Sequence, residues 1–289
     1  MKVGIAPKIA DNRALQLAAE LAQWLLDHSH EVILSEICLK DRTGLPHKSL
    51  TDMAESVELM VVLGGDGTML HVARSFIGSP VPIMGINAGH LGFLTVAPIM
   101  DMFKAVEQVL AGKSRVERRF SLRVEVWRGD RQMGSGFALN DVVLHRNSHP
   151  RAIEFEMRVH GQFVFRLCGD GLILSTPAGS TAYALSAGGP ILHSRLPAIS
   201  VVPICPHILS NRPVVVPAED TIELKVTGST IPVALSLDGQ THSSLQQGDL
   251  IQVEKAGYVS FVYLTSRNYY QVLNSKLHWG GPTKQEHAG

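Results

Sequence analysis

The sequence has no excess of charge of either sign, because 26 Lys and Arg residues balance 26 Asp and Glu residues. A chain without a basic surplus has no electrostatic footprint for nucleic acid or for an anionic membrane. It also has no apolar run approaching the ~18 residues of a membrane span. We therefore expect no nucleic-acid or membrane partner, and any anionic ligand has to be bound by local groups.

Cysteine is scarce. The three cysteines, Cys38, Cys168 and Cys205, are widely spaced and contain no CxxC pair, which argues against a disulfide framework or a zinc site. His145 and His149 have an HxxxH spacing that would suit a metal on one face of a helix. The surrounding pattern instead favours a strand that runs into a loop, so we expect no metal motif.

Several targeting and catalytic motifs are missing. The apolar run at the amino terminus is too short before Lys8, Asp11 and Arg13 for a signal peptide, so we expect a cytoplasmic protein. There is no GxxxxGK[ST] loop, no GxGxxG after a strand and no GxSxG elbow. These absences argue against P-loop NTPases, ordinary dinucleotide-dependent dehydrogenases and α/β-hydrolases.

What the sequence does contain is a glycine-rich turn, GGDGT, directly after the apolar run 57–63. Glycines allow positive φ and a close approach of the backbone, so several N–H groups can converge on phosphate oxygens. The stretch 68–76 is predicted to be a helix whose positive end faces the same ligand. The residues predicted to bind a phosphate donor are Gly64, Gly65, Gly67 and Thr68. A carboxylate opposes anion binding, so Asp66 is predicted to accept a proton or to orient a hydroxyl or a metal ion.

The first third of the chain alternates short apolar strands with amphipathic helices. Two of the strands, 57–63 and 81–86, are apolar apart from Glu58, which predicts parallel strands buried on both faces. Ligands of such sheets bind at the carboxyl ends of the strands, where Gly64 and Asn87 lie. The other predicted elements are strands at 3–6 and 32–35 and helices at 13–28 and 99–110.

Beyond residue 116 the hydrophobic period changes from 3.6 to 2, which is typical of a β-rich domain. The expected fold class is α/β plus all-β, with a Rossmann-like amino-terminal domain and a β-sandwich-like carboxy-terminal domain. We place these domains at 1–115 and 116–265. A helical tail, 266–289, is predicted to return to the first domain.

A second dense segment, 169–190, reads GDGLILSTPAGSTAYALSAGGP. Small and hydroxyl residues follow a predicted strand, so a flat ring has room to lie against the backbone. Tyr183 would stack on that ring, and Thr181 and Ser186 would hydrogen-bond to its edge or to a ribose. A close-packed turn between a strand and a helix explains the composition equally well.

Three further polar segments are ambiguous. Asn140 and Asp141 interrupt an apolar stretch. If both lie on a strand, one faces a ligand while the other holds a neighbouring loop, and a β-bulge or turn is an equal alternative. His207 follows a Pro-rich turn, where a histidine is more often structural. The DGQ sequence at 238–240 is typical of a hairpin turn.

Taken together, these segments resemble bacterial NAD kinases. The resemblance rests on GGDGT at 64–68, NAGHLGFL at 87–94, the pair at 140 and 141, DGLILSTPAGSTAYALSAGGPIL at 170–192, PICPH at 203–207 and DGQ at 238–240. GGDGT is shared with lipid kinases, whereas the long second motif is characteristic of NAD kinases. The resemblance implies phosphorylation of the adenosine-ribose 2′-hydroxyl of NAD by ATP, another nucleoside triphosphate or polyphosphate. It also implies Mg²⁺ and a homodimer or homotetramer.

The resemblance assigns a role to individual positions. Asp66 matches the proton acceptor for the ribose hydroxyl, and Tyr183 lies against the adenine. The positions that match NAD contacts are Asp66, Gly67, His71, Asn140, Asp141, Arg151, Cys168, Asp170, Ala178, Thr181, Ala182, Tyr183, Ala184, Leu185, Ser186 and Gln240.

Three positions depart from the family pattern. Asp141 stands where Glu is more common, and Ala178 replaces a Thr. Cys168 stands where many bacterial members have Arg, so Arg166 or Arg151 is expected to supply the missing cation.

Two rival functions remain. A lipid kinase would need an apolar groove or a membrane-facing surface, which the neutral charge and the Tyr183 segment do not supply. A catalytically silent NAD(P)-binding sensor is compatible with the sequence, although Asp66 favours an enzyme.

Overall fold

The computed structural model describes residues 1–9, 11–36, 44–87, 89, 92–146, 151–208, 210–228, 233–265 and 268–277. The chain divides into two compact units. The first comprises Met1–Val72, Pro80–Glu117 and the chain from Ser260 onward, and the second comprises Ala73–Ser79 and Arg118–Val259. The three domains predicted from the sequence, with boundaries at 115 and 265, stay a prediction.

The first unit contains a parallel sheet with the strand order β3, β2, β1, β4, β5, flanked by helices. All five residues of β4 are fully buried, as expected for a central parallel strand. Helix α1 buries Ala14, Ala18, Leu21, Ala22 and Leu25, and its N-cap residue Asp11 accepts the N–H groups of Arg13 and Ala14. The elements are β1 Lys2–Pro7, α1 Asn12–Asp27, β2 Glu31–Ser35, β3 His47–Lys48, α2 Leu50–Ser56, β4 Leu59–Leu63, α3 Asp66–Arg74, β5 Pro82–Asn87, β6 Ala97–Pro98 and α4 Met102–Leu110.

Two element boundaries around the glycine turn differ from the prediction. The strand predicted over 57–63 begins at Leu59, because Val57 closes the short helix α2, whose N–H groups are capped by Ser49. The helix predicted to begin at residue 68 begins at Asp66, since the Gly65 carbonyl already accepts the Met69 N–H. Asp66 therefore lies in the first turn of α3.

The second unit is built from antiparallel strands. One sheet has the order β11, β10, β15, β18, with β7 paired to β8, and the other has the order β14, β13, β12, β9, β16, β17. The strands are β7 Ser114–Arg128, β8 Arg131–Ala138, β9 Asp141–Arg146, β10 Ile153–Val159, β11 Gln162–Gly169, β12 Gly171–Ser175, β13 Ala198–Ile204, β14 Val214–Pro217, β15 Ile222–Gly228, β16 Val233–Leu237, β17 Thr241–Leu245 and β18 Leu250–Leu264.

Side chains from both sheets of the second unit share one core, in which Phe155 of one sheet and Leu172 of the other are fully buried. This is the arrangement of a β-sandwich. The described residues also form two short helices, α5 Tyr183–Ser186 and α6 Tyr269–Leu277. The predicted α/β plus all-β fold class is confirmed. Within the described parts of the chain, no helix is long and apolar enough to cross a membrane.

Candidate active site

The glycine turn connects the buried strand β4 to helix α3. Gly64 donates its N–H to the Ile86 carbonyl at 2.9 Å, which ties the turn to the neighbouring strand β5. Gly64 and Gly65 do not adopt the positive φ that the sequence suggested, so that expectation is wrong. Gly64 is required for space, because a Cβ atom would lie 2.5 Å from the Thr68 hydroxyl oxygen. A Cβ atom on Gly65 would meet nothing within 4 Å, so the backbone there is open to a ligand.

The Asp66 carboxylate is held by the loop that follows β5. Its Oδ2 accepts the backbone N–H of Phe93 at 2.9 Å, and its Oδ1 accepts the N–H of Leu94 at 3.1 Å. A Cβ atom on Gly92 would lie 1.9 Å from Oδ1, so only glycine allows this loop to approach. Hydrogen bonds from two backbone amides fix the orientation of this carboxylate.

Polar side chains at the end of β5 shape that loop. The buried Asn87 donates from Nδ2 to the Thr95 hydroxyl at 3.3 Å, and its Oδ1 accepts the Gly89 N–H at 2.6 Å. The same Thr95 hydroxyl accepts the Gly92 N–H at 2.8 Å. The role of NAGHLGFL in orienting Asp66 was not predicted, although the motif follows a buried strand. Ala88, His90 and Leu91 of this motif lie outside the described residues.

A cavity of about 550 Å³ lies within the second unit. This volume is in the usual range for a small-molecule site. Its walls combine apolar side chains with convergent carboxylate, amide, guanidinium and imidazole groups. The lining residues are Asn140, Asp141, Val143, His145, Arg146, Asp170, Ala182, Tyr183, Ile204, Ser236, Asp238 and Gly239.

The structure brings five of the predicted nucleotide contacts together in this cavity, namely Asn140, Asp141, Asp170, Ala182 and Tyr183. Tyr183 is 47% exposed, so its ring is available for stacking. Among the described residues, the other predicted contacts of the second unit do not line the cavity. These are Arg151, Cys168, Ala178, Thr181, Ala184, Leu185, Ser186 and Gln240. Asp66, Gly67 and His71 belong to the first unit.

Asn140 and Asp141 both line the cavity. The alternation of side chains along a strand had predicted that only one of them faces a ligand, as a rule for two neighbouring strand residues. The rule does not apply because Asn140 lies in the bend before β9 and only Asp141 belongs to the strand. The alternative of a turn is therefore correct for Asn140. The Asn140 carbonyl accepts the Thr176 N–H at 2.9 Å.

The segment 175–182 is both a packed turn and a cavity wall. Thr176 and Ser180 are fully buried, and their hydroxyls donate to the Leu139 and Pro177 carbonyls at 2.6 and 2.7 Å. Gly179 is required because a Cβ atom would lie 2.1 Å from the Asn140 carbonyl oxygen. Ala184 packs into a small core cluster with Ile173. The segment is thus a packed turn at Thr176, Gly179 and Ser180 and lines the cavity at Ala182, whereas its binding of a nucleotide stays a prediction.

Arg146 contributes a guanidinium group to the cavity lining and is not among the residues predicted from the sequence. Its Nε lies 2.9 Å from Oδ1 of Asp170. The expected substitutes are placed elsewhere: Arg166 pairs with Glu156 at 3.2 Å, and Arg151 is exposed. His145 also lines the cavity from β9, a strand as predicted, whereas His149 lies outside the described residues.

Two buried carboxylates face the cavity. Burial, reinforced by the charge of Asp238, raises the pKa of Asp141 to about 7. Burial also raises the pKa of Asp238, but three backbone N–H groups and Arg74 oppose that effect. Asp238 therefore keeps its charge more readily than Asp141, and Asp141 is the member of the pair that binds a proton near neutrality.

The DGQ sequence forms the predicted hairpin turn, which joins β16 to β17. The turn also has a role that the sequence did not predict, because the Asp238 side chain is fully buried and accepts hydrogen bonds from the segment 139–141. Gln240 instead accepts a hydrogen bond from Arg74.

Cys168 and His207 lie together, and neither of them lines the cavity. The His207 N–H donates to the Cys168 carbonyl at 3.0 Å, and its Nδ1 lies 3.5 Å from the Cys168 Sγ. Burial, and then the charge of Glu154, raise the pKa of the Cys168 thiol.

The described residues contain no cluster of three or more His, Cys, Asp and Glu side chains suited to a metal ion. Cys38 lies outside them.

Comparison with known proteins decides the family. The profile described as the ATP-NAD kinase N-terminal domain matches residues 3–114, and the profile described as the ATP-NAD kinase C-terminal domain matches residues 139–264. The chain belongs to the ATP-NAD kinase family. It is 44% identical to the NAD kinase of Ectopseudomonas mendocina (strain ymp) over 284 residues, which cover 96% of each chain. It is 40% identical to the NAD kinase of Magnetococcus marinus over 282 residues, covering 96% of this chain and 93% of the relative.

Solved structures of ATP-NAD kinase relatives share the fold. A yeast NADH kinase complexed with NADH has a TM-score of 0.88 at 29% identity and covers 99% of this chain and 89% of its own. An NAD kinase from Archaeoglobus fulgidus in complex with ATP has a TM-score of 0.74 at 26% identity, covering 96% and 99%. The predicted family resemblance is confirmed.

Proposed function

We propose that this protein transfers the γ-phosphoryl group of ATP to the 2′-hydroxyl of the adenosine ribose of NAD, giving NADP. The family assignment and the relatives named NAD kinase support this activity. The observation that carries the assignment of roles is the Asp66 carboxylate, held by two backbone N–H groups at the first turn of α3.

Asp66 is proposed as the proton acceptor for the ribose hydroxyl. Each of its oxygens accepts one backbone N–H, and a carboxylate has about four lone-pair sites, so acceptor capacity remains for a hydroxyl. Phosphoryl transfer proceeds through a loose transition state in which little nucleophile activation is needed. A rigidly oriented carboxylate fits that requirement, because it holds the hydroxyl in line and accepts the proton late.

The donor phosphates are proposed to bind at the glycine turn. The first N–H groups of a helix have no partner within it, and the positive end of the dipole favours anions. The open space beside Gly65 gives phosphate oxygens access to this backbone. Gly64, Gly67 and Thr68 complete the proposed donor site. Preorganised N–H groups stabilise the charge that spreads over the transferred group.

The acceptor nucleotide is proposed to occupy the cavity of the second unit. Tyr183 offers its ring to the adenine, while Asn140, Asp141 and Asp170 offer polar contacts. Additional contacts carried over from the family pattern remain part of the proposal. They are Gly67, His71, Arg151, Cys168, Ala178, Thr181, Ala182, Ala184, Leu185, Ser186 and Gln240.

A divalent cation, Mg²⁺, is proposed as the cofactor. The donors around the glycine turn are mostly N–H groups, which bind anions, and Asp66 is the carboxylate there. This set fits a metal held mainly by phosphate oxygens and water, as is usual for Mg²⁺ in phosphoryl-transfer sites. The ion supplies charge neutralisation on the donor phosphates when bound. We also propose a homodimer or homotetramer and a cytoplasmic location.

The activity is tested by incubating the protein with NAD, ATP and Mg²⁺ and detecting NADP with an NADP-specific dehydrogenase. We expect NADP to accumulate, with the phosphate on the 2′-position by ³¹P NMR. Parallel reactions contain diacylglycerol or sphingosine instead of NAD. Phosphorylation of a lipid but not of NAD would establish the lipid-kinase alternative. Binding of NAD by calorimetry without turnover would establish a silent sensor.

A further inference from the structure

The Asp238 carboxylate is enclosed by the backbone of the cavity wall. Its Oδ1 accepts the N–H groups of Leu139, Asn140 and Asp141 at 3.0, 2.7 and 3.2 Å, and its Oδ2 accepts that of Leu139 at 3.0 Å. The Asp238 N–H donates to the Asp141 carbonyl at 3.0 Å. Asp238 reaches this position with φ of 53°, in the left-handed region where Asp is one of the few tolerated side chains. Backbone strain of this kind persists only where surrounding contacts hold it.

The opposite side of the same wall is held by the turn after β12. Thr176 donates its N–H to the Asn140 carbonyl at 2.9 Å and its hydroxyl to the Leu139 carbonyl at 2.6 Å. The segment 139–141 is thus fixed through N–H groups on one side and carbonyls on the other. Fixing the backbone fixes where the side chains of Asn140 and Asp141 enter the cavity.

Arg74 supplies the counter-charge for Asp238. Its Nη1 lies 3.7 Å from the Asp238 Oδ2, and its Nη2 donates to the Gln240 Oε1. Nη1 is buried and has no hydrogen-bond partner among the described residues. The pair therefore acts mainly through charge, in a site where the Asp238 side chain is fully buried and solvent screening is weak.

We propose that Asp238 is a positioning residue for the acceptor nucleotide, holding Asn140 and Asp141 in place through their backbone N–H groups, with Arg74 beside it as the counter-charge. This inference rests on the proposed function, because it names the group that prepares the NAD-binding wall. Asp238 acts through its neighbours. A loss of its hydrogen bonds therefore impairs NAD binding and leaves ATP binding intact.

The charge of Asp238 has a second effect on Asp141. The other titratable and charged groups that line the cavity with Asp141 are Asp238, His145, Arg146, Asp170 and Tyr183, and Arg74 pairs with Asp238. Burial and the Asp238 charge together raise the pKa of Asp141 to about 7. Removing the Asp238 charge is therefore expected to lower the pKa of Asp141, which provides a readout that a purely structural role does not affect.

Two substitutions separate geometry from charge. Asp238→Asn keeps an oxygen where Oδ1 accepts three N–H groups but removes the charge, whereas Asp238→Ala removes both. Asp130→Asn, in the exposed turn between β7 and β8, is the matched control. We expect Asp238→Ala to raise the Kd and KM for NAD ~10-fold or more, in line with the loss of two or more buried hydrogen bonds, with the KM for ATP within twofold. Asp238→Asn should raise the Kd and KM for NAD by a smaller factor than Asp238→Ala.

The pH dependence of the Kd for NAD supplies the second readout. The wild-type profile should have an inflection near pH 7, and Asp238→Asn should move it to lower pH. Variants that fold, as judged by circular dichroism, yet bind NAD like the wild type would overturn the proposal. An equal loss of NAD affinity in Asp238→Asn and Asp238→Ala would contradict positioning through hydrogen bonds. If the pH profile of the Kd for NAD has no inflection in the wild type, or the same inflection in Asp238→Asn, the Asp238 charge does not act on the pKa of Asp141.

If both Asp238 variants fail to fold, Arg74→Gln tests the same idea, because it leaves the three N–H contacts in place. We expect a rise of about threefold or more in the Kd for NAD, consistent with loss of a partly buried ion pair. An unchanged Kd would count against the proposal. Calorimetric binding of NAD does not require turnover. Failure of the wild type to make NADP would therefore reject the proposed function, whereas wild-type NAD affinity in the variants would reject this inference alone.

Discussion

Phe93 donates its backbone N–H to the Asp66 carboxylate at 2.9 Å, across 27 residues of sequence. The residue before Phe93 is Gly92, where a Cβ atom would lie 1.9 Å from Oδ1 of Asp66. Gly92→Ala must displace either the loop or the carboxylate. Because a misplacement of about 1 Å can cost on the order of 10²-fold in rate, we expect kcat to fall by at least ~10-fold.

The control for this substitution is Gly134→Ala, on the exposed strand β8, where a Cβ atom meets nothing within 4 Å. Steady-state kinetics should give Gly134→Ala the kcat of the wild type. Normal turnover by Gly92→Ala would show that the contact between the loop and Asp66 does not matter for the reaction.

Asp141 gives the folded protein a specific pH dependence. Its pKa rises from about 3.9 in the unfolded chain to about 7 in the fold, so the folded state binds the proton more tightly. The stabilisation from this protonation is complete below pH ~4 and is lost as the pH rises to 7. Asp141→Asn stays neutral, so the variant should gain stability relative to the wild type by on the order of 2 kcal/mol between pH 5 and pH 8.

Urea unfolding at both pH values, without ligand, measures this difference. Asp130→Asn should change the stability equally at the two pH values. If the difference in the free energy of unfolding between wild type and Asp141→Asn stays constant from pH 5 to pH 8, the pKa of Asp141 is not raised by the fold.

Thr176 stabilises the cavity wall through a hydroxyl that is fully buried. It donates to the Leu139 carbonyl at 2.6 Å and accepts the Gly179 N–H at 3.2 Å. Thr176→Val leaves both backbone groups without this partner, so we expect a loss of about 1–3 kcal/mol in the free energy of unfolding. Thr227 is the matched control, since its buried hydroxyl has no hydrogen-bond partner among the described residues. Thr227→Val should be neutral or stabilising in the same denaturation experiment.

The sequence predicted the elements whose signal is local. Strand β4, before the glycine turn, is fully buried as expected. Of the α1 positions predicted to share one apolar face, four are buried, namely Ala18, Leu21, Ala22 and Leu25, whereas Leu15 is only half-buried. The seven-residue helix α2 was missed because so short a segment has little periodicity, and its C-cap residue, Val57, was read as the start of a strand. Gly64 of GGDGT is required, but the reason is its contact with Thr68 and not a positive φ.

Within the candidate site, prediction worked where a motif is continuous and failed where distant segments meet. Asp170 and Tyr183 lie in one recognisable segment, and both line the cavity. Asp238 was read only as a turn residue, because its bond to the Asp141 N–H spans 97 positions and depends on the pairing of β16 with β9. Arg146 was overlooked for the same reason. Nothing near it in sequence indicates that Asp170 lies beside it.

The central claim is that Asp66 accepts the proton of the ribose hydroxyl, and Asp66→Asn tests it most directly. An acid in the first turn of a helix also stabilises that helix, so Asp52→Asn, in the first turn of α2, serves as the control for this contribution. The measurement is kcat for NADP formation alongside the calorimetric Kd for NAD. We expect Asp66→Asn to lose ~10²-fold or more in kcat with the Kd within a few-fold, and Asp52→Asn to match the wild type. Full turnover by Asp66→Asn would contradict the account.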